Sequence, residues 1–165
     1  MKHKKLIKTI NNETFTLRKG KNINSKLINI IEKELSNAQQ TNFNTTTILN
    51  FRDPDYSSEH GGYHPVEIML NEHGVIQYIT DFSYVGPSDM AELAKELDFD
   101  FANGHMEVFG RTYPLANGAE IFQIFVQNFS DYYQQGIFSV EISQYYGLTQ
   151  LNRYYNNLND LILIR

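Results

Sequence analysis

A chain of 165 residues with 41% hydrophobic and 13% aromatic residues carries enough apolar surface to close one core unaided, which excludes wholesale disorder. Its net charge of -5 repels polyanions unless the basic groups gather on one face, and this argues against nucleic acid as a partner. The absence of cysteine excludes disulfides, thiolate metal sites and thiol nucleophiles.

The start, MKHKKLIKTI, has the basic residues of an export signal, but Lys8, Asn11 and Asn12 interrupt the apolar run that should follow. No other apolar run reaches the roughly 20 residues of a membrane span, so a cytoplasmic protein is expected. The lysines around His3 form a basic tip, read as a solvated end without a role.

KLIKTINNETFTLR suits two short strands around Asn11 and Asn12. From Asn24 to Ala38, Leu27, Ile28, Ile31 and Leu35 recur at helical spacing, with Asn24 or Ser25 as the N-cap. A polar connection leads into a β-branched strand, TTTILNF.

VEIML and VIQYITDF flank NEHG, a type I turn whose glycine takes a left-handed bulge position. With Asn71 opposite Val75, the predicted register pairs Leu70 with Ile76, Ile68 with Tyr78 and Val66 with Thr80. Val66, Ile68, Leu70, Ile76 and Tyr78 then share an apolar face. Glu67, Met69, Gln77, Ile79 and Asp81 share the other, which is partly covered or the wall of a cavity.

In SDMAELAKEL, Met90, Leu93, Ala94 and Leu97 have helical spacing, with Asp89 and Glu92 spaced as a capping box, so a short helix is expected. DFDFANGHMEVFG predicts a hairpin about Asn103-Gly104. Residues Asn117 to Gln135 predict a helix with Ile121, Phe122, Phe125, Val126, Phe129, Tyr132 and Tyr133 on one stripe. Asn117 and Glu120 are its capping pair and Gly136 its stop. IFSVEI reads as a strand, and LTQLNRYYNNLNDLILI returns to helical spacing, its last residues fitting an edge strand equally well. The expected fold is a single α+β domain over 1–165: a mainly antiparallel sheet with helices mostly on one face.

The blocks GGYHPVEI (61–68), YITDFSYVG (78–86), ELAKELDFDF (92–101) and QNF (127–129) together resemble an uncharacterised bacterial domain family met mainly in marine gammaproteobacteria. The likeness runs from about Phe51 to Ile142. It implies a bacterial single-domain protein and brings no activity with it.

Several groupings bear on chemistry. His60 and His64 are spaced as two ligands on a helix would be, but Gly61, Gly62 and Pro65 rule the helix out, so no metal site is expected. Asp53, Asp55 and Ser57 alternate like the first ligands of a calcium loop, yet Ser58 stands where glycine is needed and His64 where a bidentate glutamate is needed. A plain turn accounts for them.

Glu67 and Asp81, on one hairpin face, would make an acid–base pair if buried, although alternation more simply puts them in water. Asp98 and Asp100, alternating with Phe99 and Phe101, read as a solvent face. Tyr145, Tyr146, Tyr154, Tyr155 and Arg153 read as packing rather than a stacking platform. There is no phosphate loop, dinucleotide fingerprint or serine elbow, and no cofactor is expected.

The leading expectation is a non-enzymatic module that binds a protein or small ligand at a polar mouth built from Asp53, Tyr63, His64, Glu67 and Asp81, with an accessory role on a bacterial mobile element as a guess within this class. The alternative is a small hydrolase or isomerase using His64, Glu67 and Asp81.

Overall fold

The structure, a computed structural model, describes residues 23–38, 45–87 and 90–145. The predicted hairpin at Asn11-Asn12, the basic tip, and the segment from Tyr146 onward, with its tyrosines and Arg153, lie outside the described residues.

Helix α1 (Ile23–Asn37) precedes six strands: β1 (Thr46–Arg52), β2 (Val66–Leu70), β3 (Ile76–Val85), β4 (Glu92–Asp100), β5 (His105–Val108) and β6 (Arg111–Pro114). A short 3-10 turn (Leu115–Gly118), helix α2 (Ala119–Gln134) and β7 (Ser139–Tyr145) follow. All the pairings are antiparallel, in the order β6-β5-β4-β3-β2-β1-β7. This is the expected α+β architecture.

Both helices cover the same face. Leu27, Ile30, Ile31 and Leu35 of α1 and Phe122, Phe125, Val126 and Phe129 of α2 form one core with Leu49, Phe51, Ile68, Ile79 and Phe99 of the sheet. Ile30 takes the buried place expected of Ile28, which is only half-buried. Since α1 already begins at Ile23, Asn24 and Ser25 lie within its first turn rather than before it.

Aromatic rings dominate the centre. Phe51 meets Phe129 edge-on at 4.9 Å between centroids, and Phe99 meets Phe122 in the same way at 5.0 Å. Such edge-to-face geometry sets the positive rim of one ring against the negative face of the other. The α2 stripe is as expected at Phe122, Phe125, Val126 and Phe129, but Ile121, expected in it, is exposed; Ile124, outside the expected stripe, is exposed too. Gly136, at φ 74, ends the helix in the left-handed conformation that costs glycine least. The Asn117–Glu120 capping pair does not form; the 3-10 turn occupies that place and Gly118 precedes α2 without a side-chain cap.

Three expectations are corrected by strand pairing. Residues 92–100 form β4, not a helix: they pair with β3 from Val85 opposite Glu92 to Tyr78 opposite Asp100. The helical spacing was coincidental, because Met90 and Leu93 are exposed rather than turned to a core. A long partner strand with unpaired backbone groups outweighs a weak helix preference.

The second correction concerns the β2–β3 register. The turn is as expected, with Asn71 N–H donating to the Val75 carbonyl and Leu70 opposite Ile76. A β-bulge then absorbs Gln77, so Met69 faces Tyr78, Ile68 faces Ile79, Glu67 faces Thr80 and Val66 faces Asp81. Beyond the bulge, every β3 side chain has changed face. Ile79 enters the core, and Tyr78 leaves it to donate its hydroxyl to Glu67 Oε1 at 2.6 Å. Burial, and then Glu67, push the Tyr78 pKa up.

Third, Asp98 is not on a solvent face. It is buried opposite Thr80, accepts that hydroxyl's hydrogen bond, and accepts another from Lys95 Nζ at 2.9 Å. Strand β6 was not foreseen. Its residues are all exposed and show no alternation, and the β5–β6 turn places Phe109 at φ 46, where Asn would be the usual signal.

Candidate functional site

The loop from Asp53 to His64 is closed by its own first residue. Asp53 Oδ1 accepts the Asp55 backbone N–H at 3.0 Å and Oδ2 accepts that of Tyr63 at 2.9 Å. Ser57 and Gly61 exchange both backbone hydrogen bonds, and His60 Nδ1 lies 3.3 Å from Ser57 Oγ. Asp53 is therefore a residue that folds the loop rather than one offered to a ligand. Pro65 holds His64 extended, delivering it to the start of β2.

Around this entry the rings are layered. Tyr56 stacks on Tyr84 at 5.2 Å, accepts the Tyr84 backbone N–H at 3.1 Å, and lies 5.5 Å from the His64 ring. Tyr63 meets Tyr132 of α2 at 4.5 Å, tying the loop to the helix.

Two bulges then decide which carboxylates meet His64. The Gln77 bulge sets Asp81 opposite Val66, on the helix-covered face, and a second bulge between the Asp81–Leu97 and Phe82–Lys95 pairs adds Glu96 to β4. An extra residue in a strand re-aims its side chain, and Glu96 turns toward the same face. His64 Nδ1 lies 2.9 Å from Asp81 Oδ1 and 3.4 Å from Glu96 Oε2. One ligating atom from each of the three falls within 4.8 Å of the others. Among the described residues no other group of three such side chains converges this closely.

These residues form one wall of a cavity of about 420 Å³, facing Ile121, Ile124, Phe125 and Asn128 of α2. Tyr63 lines it as well; Glu67 does not. Of the five residues expected at a mouth, Tyr63, His64 and Asp81 are brought together, Asp53 closes the loop behind them, and Glu67 faces the other side of the sheet. The expected Glu67–Asp81 pair is thus corrected by the Gln77 bulge. Glu96 was missed because its segment read as a helix, in which it would have lain on the wet side.

The electrostatics follow from geometry. The Asp81 hydrogen bond raises the His64 pKa; burial opposes it, and the charges of Asp81 and Glu96 add to the rise. Burial raises the Asp81 carboxyl, His64 opposes this, and the nearby Glu96 charge raises it further. Both groups hold protons more tightly folded than unfolded, so both contributions to stability decline with rising pH. That of His64 is complete below about pH 6.5 and is lost as pH passes its raised folded value. In EDTA-treated protein, the urea-unfolding free energy should accordingly fall more steeply between pH 6 and 8.5 for wild type than for His64→Gln. Equal slopes would contradict the His64–Asp81 bond.

A family model described as a protein of unknown function, DUF2787, matches residues 25–143. The chain belongs to this family. Two solved structures are similar to it, both of hypothetical proteins from Vibrio cholerae pathogenicity islands. The one from VSP-II is 32% identical with a TM-score of 0.61, covering 72% of this chain and 91% of its own. The one from VPI-2 is 31% identical with a TM-score of 0.59, covering 78% and 97%, and is described as sharing structural homology with the human P32 protein. No curated protein matches the chain. No described helix of this DUF2787 protein is long and apolar enough to cross a membrane.

Proposed function

We infer that this DUF2787 chain is a non-enzymatic binding module, one cytoplasmic domain over 1–165, which takes a small molecule or a partner protein's side chain in the cleft between its sheet and α2. The observation that carries this reading is the two-sided lining, with His64, Asp81 and Glu96 on the strand side and Ile121, Ile124 and Phe125 on the helix side. A cleft of this volume with one apolar wall and a few convergent polar groups suits a ligand with a polar end and an apolar body. Two related structures come from pathogenicity islands, which supports a role as an accessory protein of a bacterial mobile element.

The hydrolase or isomerase alternative has less support. Glu67 lies across the sheet from His64 and Asp81, and no serine, threonine or cysteine is among the described residues lining the cleft. The net charge of -5 continues to disfavour nucleic acid.

The test is a ligand-detected NMR screen of a fragment library. Hits should weaken at least about tenfold, a loss of roughly 1.4 kcal/mol, in Ile124→Asp, which places a charge on the apolar wall at a residue 62% exposed and so tolerant of change. Hits that ignore this substitution, or none at all, would remove the cleft as the binding site.

A further inference from the structure

We propose that His64, Asp81 and Glu96 bind a divalent first-row transition-metal ion of the Zn2+ type, held on the sheet wall of the cleft with its remaining positions open to the cavity. The proposal rests on the reading of the cleft as a binding site and names what occupies its polar end.

The distances between the ligating atoms carry it. With metal–ligand bonds of about 2.1 Å, adjacent ligand atoms stand about 3.0 Å apart at right angles and about 3.4 Å apart at the tetrahedral angle. His64 Nδ1 is 2.9 Å from Asp81 Oδ1 and 3.4 Å from Glu96 Oε2. Both spacings from His64 Nδ1 thus match adjacent positions of a coordination polyhedron, the three ligating atoms lie within 4.8 Å of one another, and an ion there would replace the hydrogen bond that His64 Nδ1 now shares with Asp81.

Charge and placement point the same way. Asp81 and Glu96 retain only 16% and 25% of their side-chain exposure. Two carboxylates brought side by side at that depth repel each other, and one imidazole, even protonated, leaves the group with a net negative charge. A divalent cation satisfies both carboxylates at once. The ligands also sit on stiff backbone: Asp81 and Glu96 are in paired strands, and His64 is held between the Asp53-closed loop and Pro65. Ligands fixed in this way lose little freedom on binding.

The donor set selects the class of ion. One imidazole nitrogen with two carboxylate oxygens suits Zn2+, Mn2+ or Fe2+ better than Ca2+, which takes six to eight oxygens, and the lack of thiolates disfavours the softest ions. Three protein ligands facing a cavity is the arrangement of a site that keeps an exchangeable position. The sequence expectation of no metal considered His60 with His64. His60 is engaged with Ser57, and the partners of His64 come instead from β3 and β4.

The test uses the full chain, stripped with EDTA and titrated calorimetrically with ZnCl2, with CoCl2 as a visible-spectrum substitute. We expect one equivalent of Zn2+, ligand-field bands with Co2+, and Zn2+ bound at least tenfold more tightly than Ca2+. His64→Ala, Asp81→Asn and Glu96→Gln should each lower affinity at least tenfold, while Glu67→Gln, on the other face, should bind as wild type. Because a cleft variant can lose its fold, the wild-type protein supplies an independent readout: Zn2+ should shift the 15N resonance of His64 Nδ1 and leave those of His60 and His73 in place.

Absence of stoichiometric Zn2+ uptake, uptake unchanged in all three ligand variants, or an unmoved His64 resonance would overturn the proposal. Ile124→Asp separates it from the reading beneath it, since that residue is no ligand. Fragment binding without Zn2+ uptake would sink the metal and keep the cleft, whereas Zn2+ uptake without fragment binding would keep the metal and sink the organic ligand.

Discussion

Phe51→Ala should lower the free energy of unfolding by about 3–5 kcal/mol, the range for emptying a fully buried aromatic site. Phe51 is 0% exposed and stands at the junction of three rings, with Phe129 at 4.9 Å and Tyr133 and Phe138 both at 6.2 Å. Phe129 comes from α2, and Phe138 lies in the connection leading into β7. Removing one ring therefore loosens the helix and the seventh strand together, and the rigid neighbours cannot collapse to fill the space. At about 2–4 °C per kcal/mol for a chain of this size, Tm should drop by roughly 10 °C. Urea titration and thermal melts followed by circular dichroism would check this, with Met90→Ala as a control because Met90 is 69% exposed. A loss under about 1 kcal/mol for Phe51→Ala would show that the ring cluster does not join these elements.

Gly62→Ala should disable the cleft with a smaller cost to the whole fold. Gly62 has φ 129, a conformation side chains rarely adopt, and an added Cβ would stand 2.8 Å from Asp53 Oδ2 and 3.1 Å from the Tyr56 Cα. The strained backbone alone costs on the order of 1–3 kcal/mol. Relief requires the chain to move away from Asp53, which breaks the carboxylate's bond to the Tyr63 N–H and shifts Tyr63 and His64 with it. The expected result is a Tm lowered by several degrees, together with NMR shift changes at Tyr63, His64 and Asp81 and loss of fragment binding. Gly61→Ala is the matched comparison: its φ is also positive, at 69, but no atom lies within 4 Å of an added Cβ. It should cost only about 1 kcal/mol and leave His64 in place. Equal effects of the two substitutions would mean that the contact with Asp53 does not shape the mouth.

Much of the fold was legible before any coordinates. The turn signals at Asn71–Gly74 and Asn103-Gly104, the helical stripes of α1 and α2 and the stop at Gly136 are local features, decided by side chains within a few residues of one another. Residues 92–97 were misread because their helical spacing is also local, whereas the feature that decides their structure, the unpaired edge of β3, lies in another segment. The candidate site was legible in part. His64 and Asp81 stood out as titratable residues near a glycine-rich loop, and Tyr63 as a ring beside them. Glu67 was assigned to their side and Glu96 was not considered.

By itself, then, the sequence determined the hairpins at Asn71–Gly74 and Asn103-Gly104, the two amphipathic helices, the α+β class and the exclusion of thiol chemistry, because periodicity, turn residues and composition are written into neighbouring positions. The tertiary structure alone decided which carboxylates face His64. A side chain's face alternates at every residue, so one extra residue at Gln77 and another at Glu96 reassign every side chain that follows in the ladder. Whether a strand accommodates such a residue depends on what packs against its two sides and its face, and here that is β2 and β4 beside β3 and, from a remote part of the chain, α2 across the core.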